Sequence, residues 1–195
     1  MSKSYYKQSN VKKSYYKQSN VKKWLHEILR DMGDDNWKPD YIVGIGRGGL
    51  VPAVMLSNYL EVPMHSLKVT FREGQEDTES NLWMAEDAFG YVPADEIPRE
   101  ADEIPSDPSH RSKILIVDDI NDTGRTFKWI KKDWESSCMP MERKFWDSVW
   151  GENVRFAVLV NNEASKFKDV SYRGTEINKN DEPTWVVFPW ENWWS

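Results

Sequence analysis

The chain has 195 residues, enough for one domain with a sizeable core. Its formal net charge of −6 argues against general binding to nucleic acid or acidic membrane, because tracking many phosphates needs a basic face. A single cysteine, Cys138, excludes an intrachain disulfide. With a polar N-terminus and no apolar run near the roughly 20 residues of a membrane span, the expected compartment is the cytoplasm.

The sequence KSYYKQSNVK stands at Lys3–Lys12 and again at Lys13–Lys22, and ADEIP stands at Ala94–Pro98 and Ala101–Pro105. Neither repeat has the length of a solenoid unit, so both read as local duplications in segments that tolerate insertion. Residues 1–20 are expected to be a flexible extension, and 21–195 a single domain. Val21, Trp24, Leu25, Ile28, Leu29 and Met32 recur at helical spacing before Gly33. Tyr41–Ile45 is a short apolar run that predicts a buried parallel strand, and Gly49–Leu60 predicts a helix with Pro52 in its first turn. His65–Phe71 alternates as a strand does. Residues 72–110 are acidic, aperiodic and interrupted by Pro93, Pro98, Pro105 and Pro108, the pattern of a lid or insert. Ile114–Val117 is a third buried strand and Gly124–Ser137 the helix after it. Pro140–Trp150 predicts a short helix and Val154–Val160 a fourth strand. Ser171–Arg173 and Trp185–Phe188 add short strands at an edge or in a capping piece. This alternation predicts an α/β fold with a mainly parallel sheet, whose ligands bind at the carboxyl ends of the strands.

Three constellations carry chemistry. In the first, apolar Ile114–Val117 leads into Asp118, Asp119, Ile120, Asn121, Asp122, Thr123, Gly124, Arg125 and Thr126. Adjacent carboxylates at a strand end can accept hydrogen bonds from a ribose diol and sit near a Mg²⁺. A turn entering a helix offers backbone N–H groups and a positive dipole to a phosphate, with the Thr123 and Thr126 hydroxyls as further donors. Asp122-Thr-Gly alone would serve equally as a helix cap; it is the whole string that is specific. It resembles the phosphoribosyl pyrophosphate (PRPP) motif of type I phosphoribosyltransferases: apolar residues, two acids, two variable positions, then Asp/Thr-Thr-Gly and a final Thr.

The second constellation, Tyr41-Ile-Val-Gly-Ile-Gly-Arg-Gly-Gly-Leu50, could be mistaken for a dinucleotide fingerprint. Such a site expects an acidic ribose reader about 20 residues on, and no convincing candidate stands there. By the resemblance, Gly46, Arg47, Gly48 and Gly49 form the family's pyrophosphate loop, with a non-proline cis peptide at Gly46–Arg47.

The third constellation is Ser171–Ile177 followed by Thr184–Glu191, which is similar to the C-terminal hood (residues 169–195) of purine-type members of the xanthine–guanine kind. The resemblance implies that Trp185 stacks on the base and the Val186 backbone binds its edge. An edge strand anchored by Trp190 is the plainer reading of the same residues, just as packing is the plainer reading of the chain's eleven tryptophans. One departure stands out. Purine-type members carry a lysine just after the fourth strand, whereas Asn161, Asn162 and Glu163 follow Val160 here. Asn161, with a donor and an acceptor, is the candidate base contact in its place.

Together the resemblance implies transfer of a phosphoribosyl group from PRPP to a purine base, giving a nucleoside monophosphate and pyrophosphate. Asp118 and Asp119 would hold the ribose and, with substrate oxygens, Mg²⁺. Asp122, Thr123, Gly124, Arg125 and Thr126 would grip the 5′-phosphate, with Asp122 also the catalytic group at the base. A homodimer is expected, as is common in the family. The competing reading is a PRPP- or nucleotide-binding regulator on the same fold, which would call for a basic nucleic-acid face that the sequence does not show.

Overall fold

A computed structural model describes residues 11–72, 75–79, 81–92, 107–138 and 143–194. Its main sheet has six strands: β2 (Tyr41–Gly46), β3 (Met64–Arg72), β4 (Gln75–Thr78), β5 (Ile114–Asn121), β6 (Val154–Asn162) and β7 (Tyr172–Ile177). Their spatial order is β4-β3-β2-β5-β6-β7. All pair in parallel except β4, which folds back antiparallel on β3. The chain moves outward from β2 to β3 and returns on the other side of β2 at β5. The sheet therefore changes winding direction between β2 and β5, which is where open α/β sheets leave a crevice at the carboxyl ends of their strands.

Both faces of the sheet are covered, so the central strands are apolar on both sides. In β5, Ile114 and Ile116 join one core while Leu115 and Val117 join the other. The first core is closed by α3 (Leu82–Phe89), α4 (Arg125–Ser137) and α5 (Arg143–Trp146) through Met84, Phe127, Ile130, Trp134 and Trp146. The second is closed by α1 (Gln18–Asp34) and α2 (Leu50–Leu60) through Val21, Trp24, Ile28, Ala53 and Leu56.

The N-terminal side differs from the sequence expectation. The second copy of the duplication and the last residue of the first are part of the fold: Lys12–Tyr15 form β1, which pairs in parallel with β8 (Thr184–Val187) as a separate two-stranded sheet. Helix α1 then starts at Gln18, three residues before the apolar period does, and the Asn20 side chain accepts a hydrogen bond from the Lys17 N–H at 2.9 Å. Of the extension expected over 1–20, residues 1–10 lie outside the described residues.

Residues 72–110 are likewise not one aperiodic loop. They contain β4 and α3, and α3 buries Met84, Ala85, Ala88 and Phe89 in the core. The lid expected in this region falls on residues 93–106, outside those described. Within the expected hood, Tyr172–Ile177 is the edge strand of the main sheet, and only β8 belongs to the smaller one. The helix expected over 140–150 is limited, among the described residues, to the single turn of α5. No described helix is long and apolar enough to cross a membrane.

Candidate functional site

Strand β5 runs on through both acids, so Asp118 and Asp119 leave the sheet at the carboxyl end of a strand rather than in a free turn. Opposite them, β2 ends in the loop Gly46–Gly49, where the Gly46–Arg47 peptide is cis. The two segments touch. A Cβ on Gly48 would lie 1.9 Å from Asp119 Oδ2, and one on Gly49 would lie 2.3 Å from the Val117 carbonyl oxygen. Only glycine lets the loop approach this closely. Arg47 is exposed at the loop tip.

Electrostatics sharpen the picture. The Asp118 carboxyl is pushed well up by burial and then by the charge of Asp119; the Asp119 N–H donates to its Oδ1 at 2.9 Å. Burial also pushes Asp119 up to about 6, helped by the charge of Glu191 from the C-terminal segment. The Glu191 side chain is held by the Phe188 N–H at 3.0 Å. The charges of three carboxylates thus act on one another at this strand end. Such a place suits ribose hydroxyls and a divalent cation. Among the described residues no group of three or more histidine, cysteine or acidic side chains is placed to hold a metal ion. Mg²⁺ takes one or two protein carboxylates and fills its shell with substrate oxygens and water; Asp118 and Asp119 are the residues that could hold it.

Beyond the acids, Asp122, Thr123 and Gly124 form the turn into α4, with Gly124 at φ +79° as its N-cap. A Cβ there would meet the Phe167 nitrogen at 2.5 Å, so the turn lies flat on segment 165–167. Thr123 is exposed and Thr126 half-buried at the start of the helix. The Arg125 side chain turns toward the end of β3 instead, with its guanidinium carbon 4.6 Å from the Phe71 ring centroid.

The turn is braced from β6. Asn121 is buried, and its amide donates to Asn161 Oδ1 at 2.8 Å and to the Phe167 carbonyl at 3.0 Å, while its oxygen accepts from Ser165 Oγ at 2.8 Å. Asn161 donates in turn to Glu176 at 3.3 Å. The residue singled out as a base contact is therefore engaged at both ends of its amide, as a strut between β5, β6 and β7. Its neighbour Asn162 lies over the turn, donating to the Asp122 carbonyl at 2.9 Å. Lys179, in the turn between β7 and β8, reaches Asp122 Oδ1 with its Nζ at 2.9 Å.

Trp185 and Val186 lie on β8, with Trp185 37% exposed and Val186 buried. Phe188 and Trp190, further along the same segment, stack at 4.9 Å. The residues that sequence reasoning missed are Asn121, Asn162, Lys179 and Glu191. The strands were expected to stop at Val117 and Val160, which hid Asn121 and Asn162 as loop residues. Lys179 and Glu191 act across long sequence separations that carry no local pattern.

Comparison with known proteins bears on the fold and the family. The profile of the phosphoribosyl transferase domain matches residues 8–192. The hypoxanthine-guanine phosphoribosyltransferase of Schizosaccharomyces pombe is 22% identical over 173 residues, covering 80% of this chain and 79% of that protein. Among solved structures, the purine phosphoribosyltransferase of Pyrococcus horikoshii superposes with a TM-score of 0.57 at 22% identity, covering 93% of this chain and 95% of its own. The xanthine-guanine-hypoxanthine phosphoribosyltransferase of Helicobacter pylori gives 0.55 at 18%, covering 91% and 92%. At these identities the structural likeness speaks for the fold, while the profile covers nearly the whole chain. The chain belongs to the phosphoribosyl transferase domain family and is a phosphoribosyltransferase.

Proposed function

We propose that the protein transfers the phosphoribosyl group of PRPP to a purine base, in nucleotide salvage in the cytoplasm and as a homodimer. The observation that carries this is the contact between Gly48–Gly49 and the acid pair Asp118–Asp119 at the point where the sheet reverses winding. The segments that meet there offer a glycine loop for a diphosphate, carboxylates for a diol, and a helix-entry turn for a monophosphate. These are the three polar parts of PRPP.

In this reading Asp118 and Asp119 accept the ribose hydroxyls, and the turn Asp122–Thr126 holds the 5′-phosphate with backbone N–H groups and the Thr123 and Thr126 hydroxyls. Arg47 faces the pyrophosphate. As the bond from ribose C1 to pyrophosphate breaks and that to the base nitrogen forms, positive charge develops on the ribose. Negative charge on the Asp118–Asp119 pair facing the ribose favours it. Asp122 accepts a hydrogen bond or a proton from the five-membered ring of the purine, and Trp185 stacks on the flat base with the Val186 backbone at its edge. When bound, Mg²⁺ would offset the charge of the phosphates and of the leaving pyrophosphate.

The test is a base screen. With PRPP and Mg²⁺, pyrophosphate release is followed for guanine, xanthine, hypoxanthine, adenine, uracil and orotate. Release with one or more purines and with neither pyrimidine is expected. PRPP binding with no release for any base would instead make the protein a PRPP-binding regulator.

A further inference from the structure

Asn121 is the last residue of β5, between the acid pair and the turn into α4, and it is only 2% exposed. An apolar side chain would suit that burial, and a buried amide costs stability unless its hydrogen bonds are made. Here they are made. The amide nitrogen donates to Asn161 Oδ1 at 2.8 Å and to the Phe167 carbonyl at 3.0 Å, and the amide oxygen accepts from Ser165 Oγ at 2.8 Å. Ser165 is itself buried, and its hydroxyl oxygen accepts from the Phe167 N–H at 3.2 Å. The same short segment holds the turn in a second way. The Lys166 N–H donates to the Thr123 carbonyl at 3.2 Å, and a Cβ on Gly124 would lie 2.8 Å from Ser165 Oγ. Residues 121, 123 and 124 thus rest on one platform, the segment 165–167 after β6.

A phosphate at a helix entry takes N–H and hydroxyl donors. The brace takes acceptors: Lys166 and Asn162 hold the carbonyls of Thr123 and Asp122. Brace and phosphate therefore do not compete for the same groups. Backbone donors bind an anion best when they are fixed before it arrives, because ordering the turn on binding would cost affinity. The glycine loop at the end of β2 stands on other contacts, those of Gly48 with Asp119 and of Gly49 with Val117. Resting on the reading in which the turn 122–126 holds the 5′-phosphate, we propose that Asn121 is a positioning residue. Together with Ser165 it presets that turn, and so sets the affinity for the phosphate on the ribose while leaving the diphosphate end of the substrate to the glycine loop.

The experiment measures the binding of two parts of the substrate by calorimetry: ribose 5-phosphate, which needs the turn, and pyrophosphate with Mg²⁺, which needs the glycine loop. Wild type, Asn121→Val and Ser165→Ala are compared, and a thermal melt of each fixes its folded fraction at the assay temperature. The wild type is expected to bind both ligands. Asn121→Val should weaken ribose 5-phosphate by roughly 10- to 150-fold, the range for a lost hydrogen bond to a charged group, and leave pyrophosphate within about threefold. Ser165→Ala removes one bond of the brace and keeps the others. It should weaken ribose 5-phosphate by roughly 2- to 10-fold, the scale of one neutral hydrogen bond, and it decides the matter should Asn121→Val not fold. An equal loss for both ligands, or unchanged ribose 5-phosphate affinity in the folded variants, would overturn the proposal and leave the reading of the site intact. A wild type that binds pyrophosphate but not ribose 5-phosphate would overturn the placement of the 5′-phosphate with it. A wild type that binds neither would overturn the whole reading of the site.

Discussion

Burial pushes the Asp119 carboxyl up to about 6, whereas an aspartate in an unfolded chain titrates near 3.9. Between those values the folded protein binds a proton that the unfolded chain has released, so stability falls as pH rises through that window. Asp119→Asn removes the charge. In the free protein it is expected to be stabilising at pH 7.5 by about 1–2 kcal/mol, a discounted reading of that shift, and the advantage should shrink toward pH 4. The same variant should bind PRPP more weakly. Thermal melts of both proteins at the two pH values check this; an equal difference in Tm at both would count against it. Asp122→Asn tests the other acid. It should largely spare PRPP binding and cut turnover by about 10²-fold, the scale of lost acid–base help. Single-turnover kinetics with saturating PRPP separate the two effects, and near-normal turnover would remove Asp122 from the chemistry.

At the scale of elements, the contact between the glycine loop and the end of β5 makes two neighbouring glycines behave differently. In Gly48→Ala the new methyl meets the tip of the Asp119 side chain, which can swing aside. The fold should survive with a small change in Tm while PRPP affinity drops. In Gly49→Ala the methyl meets the Val117 carbonyl and the Asp118 Cα, which are backbone, so a loss of about 1–3 kcal/mol or more is expected. Melts paired with PRPP titrations distinguish these outcomes. The parallel strands and the site between them were legible in the sequence because each central strand is an apolar run ending in a turn with its own chemistry. Helix α3 was not. At eight residues it is too short to show a period, and half of its buried face is Ala85 and Ala88 among acidic neighbours. Strand β1 was hidden for another reason. Lys12–Tyr15 has no apolar alternation, and its place is set by pairing with β8, including Ser14 Oγ to Thr184 Oγ1 at 2.8 Å and the Tyr16 N–H to the Val187 carbonyl at 3.0 Å. Lys179 is the same case in the site, since its meaning comes only from Asp122.

On the scale of the whole molecule, the chain's two ends are tied together by the β1–β8 pair, and β8 carries Trp185. The duplication gives a clean test. Deleting residues 3–11 keeps Lys12 and one intact KSYYKQSNVK, so all of β1 and the start of α1 remain. Tm and turnover should stay close to wild type. Deleting residues 1–15 removes β1, leaves β8 unpaired and exposes the Tyr16 and Trp24 ring pair, so the base KM should rise and Tm fall. If both deletions behave alike, β1 has no part in holding the base-facing segment. The central claim, phosphoribosyl transfer to a purine, is tested most directly by ³¹P NMR of PRPP with Mg²⁺, protein and hypoxanthine or guanine. The account predicts that PRPP resonances give way to equal amounts of pyrophosphate and a nucleoside 5′-monophosphate, only when the base is present. PRPP left intact with every purine, or hydrolysed at the same rate without one, would contradict it.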